Sequence, residues 1–185
     1  MNSFDLSLFN FIHAAAGISG FTDGLIIFGA KYLPYLLVIG AFVLLARNKN
    51  KREQFYEFVQ LALTVILSRA LITEIIRFFY NRMRPFEELG FLPLIFHPIG
   101  SAFPSGHAAA YFGLAFAILF YYARQSKFSR QNIGWWYVGA AVFMGVCRIA
   151  AGVHWPLDII AGIVIAFISA WGVDWILKKQ FNPKN

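Results

Sequence analysis

Cysteine is almost missing from this chain: the only one among 185 residues is Cys147. That excludes an intramolecular disulfide and a thiolate metal cluster. Charge is scarce as well. Asp, Glu, Lys and Arg together make up 14%, against about a quarter in a soluble domain. No lysine or arginine precedes Lys31, so the positively charged start of a cleavable signal peptide is not expected. No internal repeat, low-complexity tract or long linker is visible, and the length suits a single domain spanning 1–185. What remains is apolar: 59% hydrophobic residues, 21 of them Phe, and a mean hydropathy of +0.60. Such a composition points to lipid as the solvent. The net charge of +7 does not argue for nucleic acid, because the basic residues fall in short clusters between apolar runs, the pattern of a membrane protein.

Five runs are long enough to span a bilayer, near 24–46, 56–80, 106–124, 133–151 and 155–177, given the roughly 20 helical residues a span requires. They do not alternate in period two, and a lone open sheet leaves backbone groups unpaired in lipid. The expected fold is therefore an all-α membrane helix bundle. The stretch "FDLSLFNFIHAAAG" at 4–17 is too short to span and reads as an amphipathic interfacial helix or a half-inserted one. Segment 81–105 holds four prolines and two glycines, which makes it a loop with room for a short helix around Phe86 to Leu89. Arg47, Lys49, Lys51 and Arg52, then Arg124, Lys127 and Arg130, then Lys178, Lys179 and Lys184 all fall on one face if five spans alternate. By the positive-inside rule that face is cytoplasmic, with the N-terminus outside.

The opposite face collects charges that lipid should exclude. "RFFYNRMRP" ends the second span, "FPSGH" begins the third, and "CRIAAGVHWPLD" joins the fourth to the fifth. Arg77, Arg84, His107, Arg148, His154 and Asp158 are thereby expected at one membrane depth, where ionisable groups are costly and mark function. Arg77 and Arg84 are seven residues apart, the spacing of one helical face, where two arginines would otherwise snorkel to head groups. Arg148 lies inside an apolar run, where snorkelling is harder. His154 and Asp158 are four apart, so the carboxylate can fix an imidazole tautomer, although an Asp in a first helical turn is also an ordinary helix start. Ser105 is a candidate cap for the third span, and Gly106 removes bulk beside it. That helix mouth offers free amides and a positive dipole end to an anion.

Three arginines and a helix mouth call for phosphate, and two histidines suit phosphoryl transfer. His154, backed by Asp158, fits the nucleophile; His107 fits the acid that protonates the leaving oxygen. Arginines and helix amides stabilise the equatorial oxygens. The scheme calls for no cofactor and no metal, and Glu87 and Glu88 read as a solvated loop pair.

Arg77-x6-Arg84-Pro85, Pro104-Ser105-Gly106-His107 and Arg148-x5-His154-x3-Asp158 resemble the three motifs of the type 2 phosphatidic acid phosphatase superfamily. The resemblance covers residues 77–158, and the flanking apolar runs fit the family's membrane members. It implies an all-α core and a phosphohistidine intermediate without a metal. It also implies His154 as nucleophile, Asp158 as its orienting partner, His107 as acid, and Arg77, Arg84, Ser105, Gly106 and Arg148 as phosphate ligands. Two positions depart from the family pattern: Arg77 stands where Lys is usual, and Cys147 where Ser is usual. The short chain and outward site are similar to bacterial cytoplasmic-membrane members that dephosphorylate undecaprenyl diphosphate, the lipid carrier of wall synthesis. Phosphatidylglycerophosphate, phosphatidic acid and lipid A are the alternative substrates, and a non-catalytic lipid-phosphate binder is the alternative class. The expected partners are a phosphorylated lipid and the bilayer.

Overall fold

The computed structural model describes residues 3–124 and 128–181. Lys127 and Lys184, counted above among the basic residues, lie outside them. The described residues form helices and no strand. We label them α1 (Ser3–His13), α2 (Gly20–Arg47), α3 (Lys51–Phe79), α4 (Pro85–Leu89), α5 (Gly106–Ala123), α6 (Phe128–Ala150) and α7 (Pro156–Phe181). Five of these, all but α1 and α4, contain stretches long and apolar enough to cross a membrane, matching the expected spans to within a few residues at each end.

The central helix is α5, packed against α3, α6 and α7. Its inward face is rich in small residues: Ala108, Ala109, Ala115 and Ala117 are fully enclosed. Where lipid is as apolar as leucine, close backbone approach supplies the association energy that water would otherwise provide. Gly162 of α7 shows how close: a Cβ there would sit 2.6 Å from the Ala108 Cβ and 2.9 Å from the Ser105 carbonyl oxygen. Any side chain at 162 would push α7 off the mouth of α5.

One end of the bundle is basic. Asn48 at the end of α2 donates to the Tyr121 hydroxyl at 2.8 Å, and Arg124 at the end of α5 pairs with Asp174 of α7. Arg47, Arg52, Lys178 and Lys179 belong to the same end. The other end carries the motif residues. There α1 docks on α6 and α7: Phe9 is fully buried with its ring 5.0 Å from that of Trp155, and the His13 Nδ1 meets the Ala150 carbonyl at 2.7 Å. The N-terminal helix expected at an interface is thus also a packed part of the bundle.

Two helices contain a π-helical stretch, Phe28–Tyr32 in α2 and Ile66–Ile72 in α3. Such widened turns free carbonyls that need partners and recur at functional sites. The Thr73 hydroxyl returns a bond to the Ser68 carbonyl at 2.8 Å, and Ala30 in the α2 stretch offers its carbonyl to Arg148 at 3.2 Å.

Candidate active site

Three local structures assemble the motif end. The first is the mouth of α5. Ser105 is its N-cap: the hydroxyl accepts from the Ala108 amide at 3.3 Å, and the first intrahelical bond runs from Ala109 to the Ser105 carbonyl at 2.9 Å. The amides of Gly106 and His107 precede that bond, as an anion site requires. Arg77, near the end of α3, grips the same mouth: its Nη2 donates to the Pro104 carbonyl at 3.0 Å.

The second is the start of α7. Gly152, with φ +82°, ends α6 in the left-handed conformation that turns the chain. His154 follows, then Pro156 opens the new helix. Asp158 sits in its first turn and caps it, with Oδ2 accepting from the Trp155 amide at 2.8 Å. The Ser105 amide donates to the Asp158 carbonyl at 2.9 Å, which locks the two helix mouths together.

The third is the loop 80–84, and here the sequence expectation needs correction. Arg77 and Arg84 do not share a helical face. Helix α3 ends at Phe79 and Tyr80 is extended. The proline at 85 bars the helical conformation from the residue before it, and Arg84 is extended with ψ 157°. Arg84 nevertheless reaches the site from the loop. Its Nη1 donates to the Val153 carbonyl at 2.8 Å and lies 3.3 Å from His154 Nε2; its Nη2 donates to the Ser101 carbonyl at 3.1 Å.

The structure therefore gathers Arg77, Arg84, Ser105, Gly106, Arg148, His154 and Asp158 around two adjoining helix mouths, with His107 one residue inside α5, its ring stacked on Tyr111. The inner part is closed off: Arg84, Arg148 and His154 are 3%, 2% and 1% exposed. Within it Arg84 Nε and Arg148 Nε and Nη2 are buried with no hydrogen-bond acceptor among the described residues. Buried guanidinium N–H groups are costly to leave unmatched, and their chemistry fits a tetrahedral oxyanion. Burial first, then the charge of Arg77, brings the Arg84 guanidinium down to about 10, so it remains cationic at neutral pH. Burial, then Arg148 and Arg84, hold the His154 imidazole well below its ordinary value, so that ring is neutral and carries a lone pair.

Which nitrogen carries the lone pair follows from the neighbours. A guanidinium only donates, so Nε2, facing Arg84, is the acceptor nitrogen. The proton then sits on Nδ1, 3.5 Å from Asp158 Oδ2. That is an ion-pair distance rather than a hydrogen bond, and Nδ1 has no hydrogen-bond partner among the described residues.

Sequence reasoning missed four charged or titratable residues. Arg82 donates to Asp158 Oδ1 at 2.8 Å and also pairs with Asp5. Asp5, fully buried on α1, accepts from the Leu157 amide at 2.9 Å. His97 stands with its ring 6.1 Å from that of His154; burial is the main cause that brings it down to about 4. Arg69 lies against Gly106: a Cβ at 106 would fall 2.6 Å from its Nε. The bulk that Gly106 makes room for is thus a fifth arginine at this end of the bundle. Cys147, the departure from the family motif, packs toward α2, its Sγ 4.0 Å from the Leu25 carbonyl. Glu87 is not a free loop acid, since its Oε2 accepts from the Arg84 amide at 3.1 Å.

Comparison with known proteins bears on the family and the fold. The chain is 28% identical over 178 residues to the bacitracin transport permease protein BcrC of Bacillus licheniformis, covering 95% of this chain and 81% of that one. It is 25% identical to the undecaprenyl-diphosphatase BcrC of Bacillus subtilis, covering 87% and 78%. Its fold is shared with the membrane phosphatidylglycerolphosphate phosphatase of Bacillus subtilis, with a TM-score of 0.65 at 18% identity over 100% of this chain and 90% of that one. The family model described as the PAP2 superfamily matches residues 58–182, a stretch that holds both helix mouths and the arginines between them, and the chain belongs to that superfamily as an integral-membrane hydrolase of phosphate esters.

Proposed function

We propose that this protein is an undecaprenyl-diphosphatase of the bacterial cytoplasmic membrane, with its site facing outward, acting through a phosphohistidine at His154. The observation that carries the mechanism is the divided environment of one ring: Nε2 faces Arg84 at 3.3 Å and Nδ1 faces Asp158 at 3.5 Å. The first contact leaves the lone pair aimed into the arginine-lined pocket. The second puts a carboxylate where the cation formed on phosphorylation needs one.

The terminal phosphate of the lipid takes the unmatched N–H groups of Arg84 and Arg148 and the free amides at the mouth of α5. The Nε2 lone pair forms a bond to phosphorus, the bond from phosphorus to the bridging oxygen breaks, and its electron pair leaves with the lipid monophosphate. His107 delivers a proton to that oxygen. Water, giving a proton back to His107, then attacks the phosphohistidine; the P–N bond breaks and inorganic phosphate is released. Arg77 holds the mouth of α5 in place through the Pro104 carbonyl.

The choice of lipid is supported by the relatives at 25% and 28% identity, one of them named an undecaprenyl-diphosphatase. Outward orientation is supported by the basic end of the bundle lying opposite the site. A phosphate-release panel on purified protein, with chelator present, tests the reading. Undecaprenyl diphosphate should be turned over with the highest kcat/KM, ahead of phosphatidylglycerophosphate, phosphatidic acid and lipid A. A clear preference for one of those three would replace the substrate named here.

A further inference from the structure

The cations at this site form two tiers. Arg84 and Arg148 are sealed inside beside His154. Arg69 and Arg77 stand outside them, with side chains 39% and 19% exposed. Arg69 comes from the π-helical stretch of α3, ten residues below the end of that helix. An arginine at such depth on a lipid-facing helix is expensive. Its guanidinium is folded against Gly106 at the mouth of α5, next to His107 in the chain. Glu74 shows what the outer pair can bind. One oxygen, Oε1, accepts from Arg69 Nη1 and, at 3.4 Å, from Arg77 Nη1. A single anionic oxygen is thus already bridged by both guanidinium groups, and Glu74, half exposed, holds them in that geometry.

We propose that Arg69, together with Arg77, binds the second, lipid-side phosphate of a diphosphate substrate, and that Arg69 is the residue that makes the site prefer diphosphates to monophosphates. The proposal rests on the function proposed above and assigns the substrate's two phosphates to the two tiers. The terminal phosphate occupies the sealed tier, where His154 attacks. The leaving lipid phosphate lies in the outer tier, replacing Glu74 Oε1 between the two guanidinium groups. The P–O bond that breaks joins the tiers, and His107 sits beside it. A monophosphate ester reaches only the inner tier, so it gains nothing from Arg69.

The test compares kcat/KM for a prenyl diphosphate and the matching prenyl monophosphate, in wild type, Arg69→Ala and Arg69→Lys. The ratio of the two should fall by about 10- to 100-fold in Arg69→Ala, the range expected for losing a charge-assisted bond to phosphate. Arg69→Lys should fall between, because it keeps the charge but loses the bridging fork. Pyrophosphate and phosphate as competing inhibitors give a readout that needs no lipid turnover: Arg69→Ala should weaken inhibition by pyrophosphate and spare inhibition by phosphate. An unchanged substrate ratio, to within about twofold, or equal weakening of both inhibitors, overturns the proposal. A wild type that prefers monophosphates refutes both the substrate named above and the preference assigned to Arg69, and the inhibitor comparison then decides only whether Arg69 and Arg77 hold a second phosphate.

Discussion

Arg82 binds two carboxylates at once: its Nη1 donates to Asp158 Oδ1 at 2.8 Å, and its other arm pairs with Asp5 on the N-terminal helix. Its guanidinium also lies over the Trp155 ring at 5.3 Å. The carboxylate behind His154 is therefore fixed from three directions: by Arg82, by the Trp155 amide and by its place in the first turn of α7. Helix α1, far away in sequence, becomes a support of Asp158 and, through it, of the nucleophile proposed at His154.

From this follows a prediction about a positioning residue. Arg82→Met should lower kcat by about 10- to 100-fold, as loss of a supporting contact behind a reactive ligand does, with KM little changed. Asp5→Asn keeps the packing and the Leu157 contact while weakening the pair, so it should fall between. Separate determination of kcat, KM and Tm checks this. A drop in Tm with kcat intact would make the network structural only.

His97 gives a pH prediction. Its folded value is about 4, lowered first by burial, and that of His154 is also lowered, again first by burial. Both rings are held neutral in the fold, while the unfolded chain takes up protons near pH 6.5. As pH falls from about 6.5 toward 4, the unfolded state binds more protons than the folded one, and stability falls. The Tm should therefore drop between pH 7 and pH 5, and less steeply in His97→Gln. Equal slopes would show that His97 titrates alike in both states.

The third prediction concerns sidedness. On a Cys147→Ser background, a cysteine at position 50 should be protected from an impermeant reagent in intact cells, and one at position 90 should be labelled. Ten basic residues set this expectation. The reverse pattern would turn the protein over in the membrane.

His107 should matter unequally for different leaving groups. A lipid monophosphate expels an alkoxide, which needs a proton, whereas a diphosphate expels a phosphate, which needs it far less. His107→Asn should slow phosphorylation of the enzyme by monophosphates more than by diphosphates, by up to the 10²–10⁴-fold typical of general acids. Single-turnover rates of that step decide it. Equal loss for both would make His107 a phosphate ligand instead of an acid.

Much of this architecture was legible in the sequence because lipid imposes it. Apolar runs located the spans, and Pro and Gly located the helix mouths at Ser105 and Pro156. His107, Arg148, His154 and Asp158 stood out because each is costly where it lies. Other features were hidden by distance. Asp5 reads as an exposed residue of an amphipathic helix until its partner Arg82, 77 positions away, is brought to it. Arg69 looks like a stray charge in an apolar run until the packing of α3 on α5 brings it against Gly106. Arg84 illustrates the opposite error. Its spacing from Arg77 suggested one helix face, but Pro85 ends that possibility, and a loop delivers the guanidinium instead.

The central claim is that His154 Nε2 carries the phosphoryl group, and rapid quenching into base tests it most directly. Undecaprenyl diphosphate labelled in its terminal phosphate is mixed with enzyme, stopped within one turnover, and the protein is digested and mapped. The account predicts label on the peptide containing His154, acid-labile and base-stable, absent from His154→Ala while that variant still binds the lipid. Label on another residue, or phosphate release by His154→Ala within a few-fold of wild type, would contradict it.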